Sequence, residues 1–398
     1  MKILIATDSF KGCLSSKDAG EAIGRGILKA DPGTEVKVVP ISDGGEGLTQ
    51  SLKQLCSEWV EKEVTGPEFK KVTATYGINK DNKLAVIEMA AAAGLSLVKG
   101  EKDPKRATTY GVGELIKDAI EKGVRSFIIG IGGSATNDGG VGMLAALGYR
   151  FLDKNGAEIS PTPLGIKELA DIDITGAHPD LKQCEFTVAC DVDIPLCGEN
   201  GCSKIFAPQK GAGPKDIADM DLWLLHYAEL TQKVMKDANP NYPGSGAAGG
   251  MGYALKSYLG ATIKPGIEIV ISALELEKDI AGADIIITGE GKIDSQTARG
   301  KVVSGVSHLA RKYGKRVIAF CGSTDVTSDV AGVDEIYAVT PKDKPLEVAM
   351  QPDIAIQNIE HTAEWSMGTG LYGHKLNRKP RSCGSKKIFK KPLDSYVT

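Results

Sequence analysis

Five times along 398 residues a short apolar run gives way to a polar segment rich in glycine or acids, and this recurrence limits the possible folds. Ile3–Ala6 precedes Asp8-Ser9-Phe10-Lys11-Gly12, Val36–Ile41 precedes Ser42-Asp43-Gly44-Gly45-Glu46-Gly47, and Phe127–Ile131 precedes Gly132 to Gly140. Phe186–Cys190 leads into Asp191-Val192-Asp193, and Ile285–Thr288 into Gly289-Glu290-Gly291-Lys292. Short continuous apolar runs suit strands buried on both faces. Stretches of helical period separate several of them, and strand–helix alternation builds a parallel sheet. Ligands in such sheets bind beyond the carboxyl ends of the strands, so the five loops are expected to line one cleft.

Ser15 to Lys29 carries Ala19, Ala22, Ile23, Gly26 and Ile27 at helical spacing, with Ser15 and Asp18 resembling a capping box. A further helix is expected from about Thr49 to Cys56. Beyond Lys62 the pattern changes: Val72–Ile78 and Leu84–Met89 alternate around Asn79-Lys80-Asp81-Asn82 and predict a β-hairpin. Val112, Leu115, Ile116, Ala119 and Ile120 mark an amphipathic helix, and Val317–Phe320 and Ile336–Val339 add buried strands. The chain reads as α/β. A doubly wound parallel-sheet domain of residues 1–65 plus 275–365 is interrupted by a mixed α/β domain over 66–274.

Lysine plus arginine number 48 and aspartate plus glutamate 51, a net charge of −3 that lacks the basic footprint of a nucleic-acid binder. No apolar run approaches the roughly 18–20 residues of a membrane span, and polar Asp8 and Ser9 interrupt any secretory leader. A cytoplasmic protein with small-molecule partners is expected, its oligomeric state left open. The eight cysteines form no C-x-x-C pair and read as reduced thiols.

In the first loop a carboxylate, a hydroxyl and the Lys11 ammonium stand between a strand and a helix, which suits an anionic ligand. A capped turn with a solvated lysine would look the same. Asp43 and Glu46 share six positions with three glycines, bringing backbone close to a ligand with acids at hand. The densest cluster is Gly130-Ile131-Gly132-Gly133-Ser134-Ala135-Thr136-Asn137-Asp138-Gly139-Gly140. Its Gly130-x-Gly132-x-x-Ala135 core, with Asp153 beyond, matches a dinucleotide fingerprint, so an NAD-dependent dehydrogenase is a competing reading. Against it, Gly139 and Gly140 would weaken the first turn of the required helix by about 1 kcal/mol each. Repeated amides with Ser and Thr hydroxyls fit a phosphate cradle better.

Asp191 and Asp193 face opposite ways if their strand continues and share a loop if it stops at Cys190. Mg²⁺ takes one or two carboxylates plus phosphate oxygens, so the pair is a candidate metal or general-base site. Gly244 to Gly252 allows either close backbone contact or a hinge. Thr288 to Gln296 again follows a strand with Glu290, Lys292, Asp294 and hydroxyls. The sequence holds no G-x-x-x-x-G-K-[ST], H-E-x-x-H or G-x-S-x-G, and its histidines lie outside these loops. Acids, lysines and amide-rich turns remain. That set matches phosphoryl transfer, in which the protein mainly positions groups and neutralises charge.

The loops resemble those of the bacterial two-domain glycerate kinase family. Matching segments are DSFKG (8–12), DGGEG (43–47), IEMA (87–90), ATTYG (107–111), GELI (113–116), GIGGSATNDGG (130–140), CDVD (190–193), FAPQKGA (206–212), GAAGG (246–250) and TGEGKIDSQT (288–297). They run in family order over about residues 1–365. The resemblance implies a flavodoxin-like domain interrupted by a second α/β domain, and ATP-dependent phosphorylation of D-glycerate with Mg²⁺ in the cleft between them, 2-phosphoglycerate being the favoured product. It also implies that Asp8, Ser9, Lys11, Asp43, Glu46, Gly132, Gly133, Ser134, Asn137, Asp138, Asp191, Asp193, Glu290, Lys292 and Asp294 lie in or near the site. On that reading Asp191 or Asp193 accepts the hydroxyl proton and the other carboxylate serves Mg²⁺. Lys11 and Lys292 offset phosphoryl charge, and the 130–140 amides cradle phosphate oxygens.

Two features depart from the family. Ile194 stands where Asn usually follows CDVD, which makes a ligand-binding regulator without turnover a further reading. Residues 366–398 form an atypical tail, with eight basic residues and one acid over 367–398, expected to be disordered.

Overall fold

The apolar runs do form strands. The computed structural model describes residues 1–42, 48–294, 302–328, 332–341 and 345–368, apart from the side chain of Gln50. The chain divides into two units, Met1–Asp43 with Val270–Thr398, and Gly44–Ile269. The first unit opens with β1 (Lys2–Thr7) and β2 (Glu35–Val38). The second holds β3 (Glu58–Thr65), β4 (Lys71–Asn79), β5 (Leu84–Glu88), β6 (Ser126–Gly130), β7 (Arg150–Leu152), β8 (Asp171–Asp173), β9 (Glu185–Ala189) and β10 (Thr262–Lys264). On its return the chain adds β11 (Ile285–Ile293), β12 (Arg316–Thr324) and β13 (Glu335–Ala338) to the first unit.

The first unit's sheet runs β13-β12-β11-β1-β2, with every pair parallel. Counted within the unit this is the order 2-1-3-4-5 of flavodoxin-like folds, which reverses between β1 and β11. Side chains alternate across a strand. Ile3, Ile5, Ile285 and Ile287 therefore meet helices Ser16–Ala30 and Pro352–Ser366 on one face, while Leu4 and Ile286 are buried on the other. Ser15 caps the first helix, its hydroxyl accepting from the Asp18 N–H at 3.1 Å. That helix meets Pro352–Ser366 at Gly26, where a Cβ would collide with the Glu360 carbonyl. Glu360 pairs with Arg25 and Lys29 at the same crossing. Ser366 and Met367, placed by sequence in the atypical tail, are buried in this unit, and 369–398 lie outside the described residues.

The second unit's main sheet is mixed, in order β10-β9-β6-β5-β4-β3. The expected hairpin pairs β4 with β5 antiparallel, Gly77 opposite Val86, and β5, β6, β9 and β10 are parallel neighbours. Its core includes the stacked rings of Phe127 and Phe186, 4.8 Å apart. Residues 48–65, expected in the first domain, belong here because β3 pairs with β4 from Glu58↔Ile78 to Thr65↔Lys71. No helix among the described residues is long and apolar enough to cross a membrane.

Candidate functional site

At the carboxyl ends of the first unit's strands lies a crevice of about 360 Å³. Asp8, Ser9, Lys11, Glu290, Lys292 and Asp294, all singled out from sequence, line it. β1 and β11 pair through Thr7↔Gly289, and the Asp8 N–H donates to the Gly289 carbonyl at 2.8 Å. Their loops therefore leave the sheet side by side, where the strand order reverses and such folds bind ligands. Gly291 allows the approach: a Cβ there would come within 3.3 Å of the Lys11 nitrogen. Asp8 and Glu290 are buried, Asp294 is half-buried, and Lys11 and Lys292 are exposed. Asp8 Oδ1 accepts from the Ser9 N–H at 2.6 Å. Lys292 pairs with Asp325 at 3.1 Å and reaches Asp294 at 4.0 Å. Asp43 and Glu46 lie outside the described residues.

The other predicted residues are in the second unit. β9 stops at Ala189, so Asp191 and Asp193 share a loop, and both are exposed. Asp191 Oδ1 accepts from the N–H of Gly266 at 3.0 Å, where helix Gly266–Ala273 begins. Asp193 makes no hydrogen bond or ion pair among the described residues. Ile194 packs against the second unit's core, its carbonyl accepting from Gly246 N–H at 3.0 Å. No group of three or more His, Cys, Asp or Glu among the described residues is placed to hold a metal ion. Two carboxylates in one open loop fit a Mg²⁺ that brings phosphate oxygens with it.

The glycine loop after β6 departs from the expectation. Gly133 is exposed and Gly132 half-exposed, and Ser134 is largely covered, but Thr136, Asn137 and Asp138 are sealed from solvent. Asp138 Oδ2 accepts from the Thr109 N–H (2.8 Å), the Thr109 hydroxyl (2.7 Å) and the Gly142 N–H (3.2 Å), and Oδ1 from the Gly140 N–H (3.3 Å). Burial pushes this carboxyl above its usual range, while the donors pull the other way. Asp138, expected at a phosphate, instead braces the starts of helices Tyr110–Glu121 and Val141–Ala146. Asn137 Nδ2 donates to the Ser203 hydroxyl at 2.9 Å in the interior.

The same loop argues against a dinucleotide fold. Its helix starts only at Val141, after left-handed Gly139 and Gly140, and Asp153 closes its own turn by accepting from the N–H groups of Asn155 and Ala157. Ala248, Gly249 and Gly250 are left-handed at φ 55°, 67° and 93°. Gly139 N–H donates to the Gly249 carbonyl at 2.9 Å, and a Cβ on Gly249 would strike the Thr136 carbonyl. Close contact with this loop explains Gly249 and Gly250, while Gly246 lies against the Pro195 carbonyl and Gly252 against that of Gly244.

Lys210 was not among the predicted site residues. It is 2% exposed, and its Nζ donates to Ser134 Oγ (2.8 Å) and the Thr136 carbonyl (2.6 Å). Burial depresses its pKa to about 8. The available signal was a lone charge in Phe206-Ala207-Pro208-Gln209-Lys210-Gly211-Ala212, with Gly211 turning the chain at φ 98°.

Comparison with known proteins adds a name to this geometry. The model of the glycerate kinase family matches residues 3–369. The chain is 49% identical over 347 residues to the glycerate 2-kinase of Escherichia coli (strain K12), covering 85% of this chain and 90% of that protein. It is 44% identical over 368 residues to the glycerate kinase of Bacillus subtilis (strain 168), covering 91% and 96%. The crystal structure of a candidate glycerate kinase 2 from Salmonella typhimurium LT2 superposes with a TM-score of 0.85 at 44% identity, covering 94% of this chain and all of that one.

Proposed function

Since the chain belongs to the glycerate kinase family, we propose that it transfers the γ-phosphoryl group of ATP to the 2-hydroxyl of D-glycerate, releasing 2-phosphoglycerate and ADP, with Mg²⁺ as the accompanying ion. The observation that carries this reading is the first unit's crevice, where two exposed lysines and three carboxylates stand at the reversal of a parallel sheet. The name of the E. coli relative supports the 2-hydroxyl as acceptor. Mg²⁺, when bound, would be held by Asp191 and would neutralise charge on the phosphates.

Asp193, exposed and without a protein partner among the described residues, is the base. It takes the hydroxyl proton as the glycerate oxygen bonds to the γ-phosphorus and the bond to the β-phosphate oxygen breaks. Asp191, fixed by the Gly266 N–H, is the carboxylate for Mg²⁺. Lys11 and Lys292 give the first unit's crevice positive charge that suits an anionic ligand, and the exposed amides around Gly132 and Gly133 suit phosphate oxygens. Coupled detection of ADP on adding D-glycerate to protein, ATP and Mg²⁺ tests the reaction, chelation by EDTA tests the ion, and ³¹P NMR of the product tests the position. Absence of ADP above background from folded protein rejects the assignment.

A further inference from the structure

The second unit contains a cavity of about 760 Å³, roughly twice the first unit's crevice and far more than a three-carbon acid fills. Buried Lys210 and Ala135 line it from within, and Phe69 from the solvent side. Phe69 is 49% exposed and left-handed, at φ 61°. It sits in the turn between β3 and β4, where its N–H donates to the Gly66 carbonyl (3.0 Å) and the Gly66 N–H to the Lys70 carbonyl (2.7 Å). A bulky side chain is rare in that region, which glycine would adopt without strain. Strain of this kind persists where function requires the side chain.

At the inner wall the Lys210 ammonium uses two of its three donors, neither on a carboxylate, and no acid pairs with it among the described residues. Four of the cavity's five acids are engaged elsewhere, Glu68 with Lys70 (3.5 Å), Asp103 with Arg106 (3.5 Å), Glu168 with Lys167 (3.8 Å) and Asp153 in its own turn, and the fifth, Glu101, is exposed to solvent. Thr136 Oγ1 and Asn137 Oδ1, buried in the adjoining loop, have no hydrogen-bond partner among the described residues. A buried cation with no carboxylate in contact, which Asp138 reaches only through its charge, beside unsatisfied polar atoms, suits an anionic ligand.

We propose that this cavity takes the nucleotide of the reaction, a purine base stacking on Phe69 while the polyphosphate reaches Lys210 and Ser134. The inference rests on ATP as donor and adds the place where it binds. Phe69→Gly removes the ring and the backbone strain together. It is expected to raise both the Kd for ATP, measured by calorimetry, and the KM for ATP by roughly tenfold or more. The KM for D-glycerate should not follow, and Tm should hold or rise. A merely structural Phe69 would lower Tm on replacement and leave ATP binding alone. Lys210→Met, close in volume, is expected to weaken ATP binding in the same sense. Photolabelling with 8-azido-ATP should modify the Pro67–Lys70 turn.

Unchanged ATP affinity in both variants, or labelling confined to the first unit's Leu346–Met350 wall, overturns the proposal. The two readings fail separately. Wild-type protein that binds ATP here but releases no ADP with D-glycerate sinks the reaction and keeps the site, whereas an active wild type with indifferent variants does the reverse.

Discussion

Asp8 and Asp138 each stand in a loop that follows a parallel strand, one and eight residues past its end, and each has glycine close by, yet one lines an open crevice and the other is enclosed by helix starts. Around Asp8 the charges that can meet a ligand, Lys11 and Lys292, stand in solvent. Around Asp138 four donors from Thr109, Gly140 and Gly142 occupy the carboxylate, and Gly249 closes the loop from behind. Glycine serves opposite ends in the two places. At Gly291 it lets two loops approach and leaves their side chains displayed, and at Gly249 it lets a backbone seal the loop it touches. An acid in a glycine-rich loop is thus informative only once its hydrogen bonds are accounted for.

The contrast between displayed and bracing groups breaks first at Asp193. As an exposed base, Asp193→Asn should lower kcat roughly 10²- to 10⁴-fold with little change in KM or Tm. If Asp193→Asn and Asp191→Asn both keep near-normal kcat in folded protein, neither is the base. Asp138→Ala should act oppositely. It strands two backbone N–H donors besides those of Thr109 and should cost about 4 kcal/mol of stability, seen as an early transition in a thermal melt. A normal melt with a raised KM for ATP would instead make Asp138 a ligand-facing group. Lys11→Ala tests the crevice: kcat should fall on the order of 10²-fold, as when one group stabilising transition-state charge is removed, with Tm in place. A shift in Tm without a change in kcat would turn the first unit's lysine into a structural group.

Much of this was legible in sequence because local patterns decide it. Ile3–Ala6, Phe127–Ile131 and Ile285–Thr288 are apolar on both faces, as buried parallel strands must be, and Ser15 caps its helix as its spacing to Asp18 suggests. β3 was missed because Trp59-Val60-Glu61-Lys62-Glu63-Val64 keeps only Val60 and Val64 buried among charges, the composition of a protected edge strand. That one omission moved the expected domain boundary to residue 65. The burial of Asp138 and Lys210 was not legible, because each is held by partners far along the chain. Thr109 is 29 residues from Asp138, and Ser134 is 76 from Lys210. No periodicity records such a pairing.

Lys210 gives the smallest effect and the finest test of the contrast, because its charge is enclosed with no carboxylate in contact. Burial holds its folded-state pKa at about 8, against roughly 10.4 in an unfolded chain. Below about pH 8 both states carry the proton, and the folded state bears the full desolvation cost. Between pH 8 and about 10.4 the unfolded chain binds more protons, so stability rises with pH, by about 2 kcal/mol from pH 8 to pH 10. Lys210→Met lacks this titration, while the buried tyrosines, which do not interact with Lys210, titrate alike in both proteins and cancel in the difference; Asp138 and Cys202, which feel the Lys210 charge, do not cancel fully. The stability advantage of the variant, measured by denaturant melts, should therefore shrink as pH rises across that window. Saturating ATP should flatten the wild-type rise, since phosphate beside the ammonium returns its pKa toward the ordinary lysine range. A difference that stays flat without nucleotide would mean that Lys210 keeps its charge in the free protein, and the second unit would then display a cation as the first does.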